Sequence, residues 1–178
     1  MKTKPLEIST PSECEICIIR VFAAPRVMLF DAFTRPELLR RWLFGPNDWS
    51  LDVCEIDLRV GGSYRYVWQR RHDGKRMGAG GTFREVVAPV RVVSTERFDD
   101  AWYAGESVNT VELAESKRGI TTLTQTLRYE SQAVRDAVLK SPMDQGLAAG
   151  YDRLEEMLSA SEELATVDPA SAGKGELV

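Results

Sequence analysis

Ser131-Gln-Ala-Val-Arg-Asp-Ala-Val-Leu-Lys140, followed by Ser141-Pro-Met-Asp-Gln-Gly-Leu-Ala-Ala-Gly150 and Tyr151-Asp-Arg-Leu-Glu-Glu-Met-Leu158, is the stretch whose reading decides the fold. Its second half carries the clearest helical periodicity in the chain. Met143, Leu147, Tyr151, Leu154 and Leu158 step by four, four, three and four, which stacks them on one helix face. Asp144, Gln145, Asp152, Arg153, Glu155 and Glu156 fall on the other face. Ser141 is placed to cap the start, Pro142 suits the first helical position, and Asp144 favours the positive end of the dipole. Each side chain of the stripe stabilises the fold by about 1.5–3 kcal/mol once buried. Such a helix needs a large apolar surface to lie on.

The chain ahead of it supplies that surface, mostly as strands. Glu13 to Phe22 reads as strand one. Ala24-Pro25 opens a short helix through Phe33, and Thr34-Arg35-Pro36-Glu37 reads as a capping box that starts a second, through Trp42. Leu43 to Trp49 is a loop around Gly45-Pro46-Asn47. Then the texture changes to strands and tight turns: Ser50–Leu58, Ser63–Arg70, Lys75–Val87 and Val90–Phe98. Gly61-Gly62, Asp73-Gly74 and Pro89 mark the turns between them. An irregular stretch from Asp99 to Gly105 follows, and Ser107–Leu113 with Ile120–Tyr129 makes a last hairpin. The order implies an α+β fold. A curved seven-stranded antiparallel sheet wraps around a long C-terminal helix, with two short helices between strands one and two. A sheet that wide twists and curls, and one helix covers its concave face without filling it. A cavity is the geometric consequence.

Composition sets the outer bounds. A length of 178 residues suits one domain, expected over 13–160, with a flexible leader at 1–12 and a disordered tail at 161–178. The net charge of −4, without a Lys/Arg block, argues against nucleic acid as a partner. No apolar run is long enough for a membrane span, and the N-terminus lacks the apolar core of a signal peptide. Three cysteines (Cys14, Cys17 and Cys54) make an odd count that suits a reducing compartment, so a cytoplasmic location is expected.

The aromatic residues carry most of the functional signal. Tyr64, Tyr66 and Trp68 alternate along one strand and share a face. Trp42, Phe44, Trp49 and Trp102 stand at loops and element ends, where cavity mouths form. They serve either as plain core or as the lining of an apolar ligand pocket. Met143, Leu147, Gly150 and Tyr151 complete the candidate pocket from the helix side. Gly146 and Gly150 lie on neighbouring turns of one face and thin the helix there, either to approach a strand or to leave room for a ligand.

Other motifs carry less. Cys14-Glu-Ile-Cys17 lies in a strand, where positions three apart point to opposite faces, so neither a redox pair nor a zinc site is expected. His72 is the only histidine and sits at a hairpin tip, which leaves neither a triad nor a His-rich metal site to build. Met77-Gly-Ala-Gly-Gly81 lacks the Lys-Ser/Thr of a phosphate loop and reads as a bend of a curled strand. No metal and no cofactor are expected. Among the strand carboxylates Glu55, Asp57, Glu85, Glu96, Glu106 and Glu112, one or two are free to face the cavity. Strand parity does not decide which. Glu96 is the candidate acid or base if the cavity is catalytic.

Several segments in this order resemble a known superfamily. They are Arg20-Val-Phe-Ala-Ala-Pro25, Phe30-Asp-Ala-Phe-Thr-Arg-Pro-Glu-Leu38 with Trp42, Glu55-Ile-Asp-Leu-Arg-Val-Gly-Gly62, Thr95-Glu-Arg-Phe98 and Gly150-Tyr-Asp-Arg-Leu154. The chain is similar to the START and Bet v-type ligand carriers of the helix-grip (SRPBCC) fold. Within them it resembles the bacterial branch named after homologues of the heat-shock-protein-90 ATPase activator. The likeness covers about residues 13–160. It implies the fold, and it implies functions that range from lipid carriage and polyketide cyclisation to co-chaperone action. Three expectations follow. The first is binding of a small hydrophobic or amphipathic molecule between sheet and helix, by a monomer or homodimer. The second is a metal-independent cyclase or hydrolase using a cavity carboxylate. The third is a chaperone-interacting module.

Overall fold

Ile16, Ile18, Arg20 and Phe22 are buried while the residues between them are half-exposed, the period-two signature of a strand with one face on the core. This strand, β2 (Glu15–Phe22), belongs to an eight-stranded antiparallel sheet. The computed structural model describes residues 6–100, 103, 105–116 and 119–166, the last six as backbone only. The other strands are β1 (Glu7–Ser9), β3 (Trp49–Ile56), β4 (Ser63–Arg70) and β5 (Arg76–Val87), then β6 (Arg91–Phe98), β7 (Ser107–Glu115) and β8 (Thr121–Arg128). Their order across the sheet is β1-β2-β8-β7-β6-β5-β4-β3. Helices α1 (Arg26–Thr34) and α2 (Pro36–Leu39) connect β2 to β3, and α3 (Gln132–Leu139) and α4 (Met143–Thr166) follow β8. No helix among the described residues is long and apolar enough to cross a membrane.

The expected seven strands become eight because Glu7–Ser9, inside the stretch read as a leader, pairs with Ile19, Ile18 and Cys17 of β2. All three of its residues are exposed, so no hydrophobic pattern announces it. Its backbone occupies the edge that β2 would otherwise present to solvent. Helix α4 runs to Thr166, past the boundary expected at 160, and residues 167–178 lie outside the described ones.

Two expected caps are replaced. Thr34 is still inside α1, where its hydroxyl donates to the Phe30 carbonyl at 2.7 Å, and the extended Arg35 precedes α2 with Pro36 in the first turn. No capping box forms. Proline disfavours the helical conformation in the residue before it, and that separates the two helices. Ser141 does not cap α4 either. Its hydroxyl donates back to the Val138 carbonyl at 2.6 Å and closes the end of α3. Ser131 caps the start of α3 by accepting from the Val134 N–H.

The glycine run expected as a bend behaves differently. β5 passes through Gly78, Gly80 and Gly81 without interruption, and its register shift falls later, between Phe83 and Glu85. Gly81 serves a close approach: a Cβ there would run into the Thr95 carbonyl of β6.

The core sits between β2, β8 and the C-terminal half of α4. Tyr151, Leu154, Met157 and Leu158 are buried against Ile16, Ile18, Phe22 and Leu123. One ion cluster fastens the same contact. Arg20, only 6% exposed, reaches Asp152 at 2.7 Å and Glu155 at 2.8 Å through one guanidinium nitrogen. Helices α1 and α2 and the turn after them add Leu29, Phe30, Leu39 and Trp42 at one end of the core.

Candidate functional site

Helix α4 leaves the core over its first two turns. Met143 and Leu147, on the same stripe as Tyr151 and Leu154, are only half-buried, and Gly146 has no atom within 4 Å of where a Cβ would stand. Under this end of the helix lies a cavity of about 600 Å³, walled by the concave sheet face and closed by α1, α2 and the loop before β3. Its size falls in the usual range for small-molecule sites.

The β4 aromatics form one wall. Tyr64, Tyr66 and Trp68 all line the cavity, with neighbouring rings 4.9 Å and 5.9 Å apart. Trp68 is fixed by donating its indole N–H to the Leu43 carbonyl at 2.8 Å, and Tyr64 by donating to the Thr95 carbonyl at 2.8 Å. Register carries the same face across the sheet. Tyr66 opposes Ala79 on β5, and Ala79 opposes Phe98 on β6, another lining residue. Trp42 stands at the end wall, its indole donating to the Ala32 carbonyl at 2.9 Å and its ring 4.9 Å from Phe33. Trp49 lies at the mouth, with the Arg70 guanidinium 5.6 Å from its ring centroid.

Met143, Leu147, Gly150 and Tyr151 line the cavity from α4. A Cβ at Gly150 would stand in ordinary contact with Trp42, 3.8 Å from ring and carbonyl atoms, so this turn seats the helix on the end wall, whereas Gly146 leaves open space. Phe44 is not among the lining residues. Its ring lies 4.0 Å from the Arg153 guanidinium, which also donates to the Trp42 and Gly45 carbonyls at 3.1 and 2.6 Å. Those carbonyls draw the loop onto α4 and leave Phe44 as the platform for the cation. Trp102 lies outside the described residues.

Polar groups in the cavity are few. Tyr151 donates to Gln125 at 2.5 Å, and Gln125 donates to Asn109 at 3.0 Å, a chain that fixes the tyrosine under the helix. Glu96 projects into the same space from β6. Among the described residues nothing hydrogen-bonds to its carboxyl or pairs with it. The side chain is half-buried and lines the cavity. Burial alone pushes its pKa up to about 7. The other strand carboxylates face outward: Asp57 pairs with Arg59, Glu106 with Arg84, Glu85 and Glu112 with Arg91, and Glu55 is exposed. His72 sits on its exposed hairpin, 2.9 Å from Asp48, and all three cysteines are free. A shallower hollow of about 270 Å³ along Glu55–Asp57 and Ser63–Arg65 lacks such an aromatic lining.

Sequence reasoning missed Phe83, Phe98, Gln125 and Tyr129, which also line the cavity. The available signal was strand pairing, of Phe83 and Phe98 between β5 and β6 and of Gln125 with Val111 on β7, and that becomes visible only once register is known.

A family model described as activator of Hsp90 ATPase homolog 1-like protein matches residues 23–159. No curated protein matches the chain. Among solved structures, a crystal structure of a protein from Rhodobacter sphaeroides is 30% identical, covers 88% of this chain and 99% of its own, and superposes with a TM-score of 0.82. A protein from Nitrosomonas europaea is 24% identical over 86% of this chain and 99% of its own, with a TM-score of 0.74. An HSP90 activator from Plasmodium falciparum is 24% identical over 82% of this chain and 96% of its own, with a TM-score of 0.57.

Proposed function

The chain belongs to the family of activator of Hsp90 ATPase homolog 1-like proteins, and from that premise we propose that it binds a small apolar or amphipathic molecule between its sheet and α4. One observation carries the reading: the buried stripe of α4 stops short of the helix start, and the space left there is lined by aromatic side chains, four of them with their polar atoms already engaged. Trp68, Tyr64, Trp42 and Tyr151 each donate to a protein acceptor. Rings held this way keep an apolar hollow open without losing hydrogen bonds. A space needed only for packing would be filled, because unfilled volume in a core is destabilising.

The test is direct. Trp42, Trp49 and Trp68 stand on the wall, so titration with a panel of fatty acids, alcohols, amines and aromatic compounds should change tryptophan emission. Native mass spectrometry should show a matching one-to-one complex. A panel without binders, together with an experimental structure whose cavity is filled by side chains, would remove the proposal.

The family's description favours a second reading, docking on heat-shock protein 90. Purified chaperone should then retain the chain in a pull-down and change its ATPase rate on addition. Absence of both effects would leave the cavity reading alone.

A further inference from the structure

We propose that the cavity's ligand carries a protonated amine, which sits on the Glu96 carboxylate among tyrosine rings while its apolar body lies under α4. This rests on the cavity-binding reading above and specifies the ligand's chemistry.

Among the described residues, the charged groups on the cavity wall are Arg91, Glu96 and Arg153. Both guanidinium groups are engaged, Arg91 by Glu85 and Glu112 and Arg153 by the Trp42 and Gly45 carbonyls. Glu96 alone of these three has no partner among the described residues. A carboxylate enclosed without a counter-charge is unfavourable, and an occupant that brings a positive charge and N–H donors removes the penalty. Aromatic rings surround the same space. Tyr64 and Tyr66 lie 4.9 Å apart on β4, and Tyr103 and Tyr129 lie 5.7 Å apart edge to face. Ring faces attract a cation. The Tyr66 hydroxyl has no hydrogen-bond partner among the described residues and adds an acceptor. A fatty carboxylate would meet Glu96 as a like charge.

The titratable groups facing Glu96 are Tyr64 and Tyr66 from β4, Tyr103 between β6 and β7, and Tyr129 just after β8. Tyr151 and Arg153 stand across the cavity on α4, and Arg91 lies on β6 itself. Burial raises the phenols further above neutrality, so they stay uncharged. Glu96, which burial pushes up to about 7, is then the group that titrates near neutral pH. Below that pH the amine must displace a proton from the carboxyl. Amine affinity should fall about tenfold for each pH unit further down.

Decylamine, decan-1-ol and decanoate, titrated at pH 8 against the full chain and against Glu96→Gln, separate the possibilities. In the native chain the amine should bind at least about tenfold tighter than the alcohol, with the carboxylate weakest. In Glu96→Gln the amine and alcohol should bind alike, and the alcohol affinity should match the native chain's, which also shows that the variant is folded. The native chain read at pH 8 and pH 6 gives a check without mutation: amine affinity should drop about tenfold while alcohol affinity holds. Equal binding of amine and alcohol to the native chain, or an amine preference that survives Glu96→Gln, overturns the inference and leaves the cavity reading standing. If none of the three ligands binds, the cavity reading fails and takes the inference with it.

Discussion

Glu96 carries its proton up to a pH of about 7 in the folded chain, against a reference value of 4.5. Between those two values the folded state holds a proton that the unfolded chain has released. Stability therefore falls as pH rises from about 4.5 to about 7 and stays level above it. Glu96→Gln should remove that slope. Urea unfolding should find the variant equal to the native chain at pH 4 and more stable by about 1–3 kcal/mol at pH 8, toward the low end because the side chain is only half-buried. A difference that does not change with pH would mean that the carboxyl is well solvated. At the same scale, strand parity placed Tyr64, Tyr66 and Trp68 on one face, and all three line the cavity. Parity did not separate Glu96 from the five other strand carboxylates. Those five are distinguished by nearby arginines or by exposure, and for Glu85, Glu106 and Glu112 the arginine is brought close by strand pairing.

Helix α4 is two environments in one stripe. The five-residue apolar ladder was legible from spacing. Nothing in the spacing says that Tyr151, Leu154 and Leu158 are seated while Met143 and Leu147 stand over a hollow. The glycines report the same division. Gly146→Leu adds a side chain where nothing lies within 4 Å, so it should block ligand binding with unchanged or slightly higher stability, by up to about 1 kcal/mol from helix propensity. Gly150→Leu pushes on Trp42, which is 3% exposed and hydrogen-bonded to Ala32, and should cost about 1–3 kcal/mol. Thermal melts of the two variants, compared with their ligand titrations, check both outcomes; equal melting temperatures would count against the division. The seat of the helix also depends on Arg20. Arg20→Met loses both charge-assisted hydrogen bonds to α4 and should destabilise by about 1–3 kcal/mol in urea unfolding. Asp152, 63% exposed, regains water in that variant, which keeps the cost moderate.

On the scale of the whole molecule, eight curled strands and one incompletely seated helix enclose more space than their side chains fill. A ligand that binds only this folded arrangement must raise its stability. At a hundredfold excess over the dissociation constant the gain is about 2.7 kcal/mol. For a chain of this length that is roughly a 5–10 °C rise in melting temperature. A binder identified by fluorescence that leaves the melting temperature unchanged would be attached elsewhere or would bind the unfolded chain equally well.

The sequence by itself determined the α+β class, the long C-terminal helix, the two short helices after the first long strand and the shared face of the β4 aromatics. All of these rest on periods of 2 and 3.6 residues, which are properties of a few neighbouring positions. Tertiary structure decided what those periods do not encode. It added β1, whose exposed residues have no pattern, and it moved Ser141 from the start of α4 to the end of α3. It turned Phe44 out of the cavity to lie under Arg153. It also chose Glu96 as the carboxylate inside. Register shifts between Leu51 and Val53 and between Phe83 and Glu85 break the simple alternation along β3 and β5. Each adds a residue to one strand, so inward and outward exchange beyond it. Which carboxyl faces the hollow is therefore settled by how neighbouring strands pair and by how far α4 covers them.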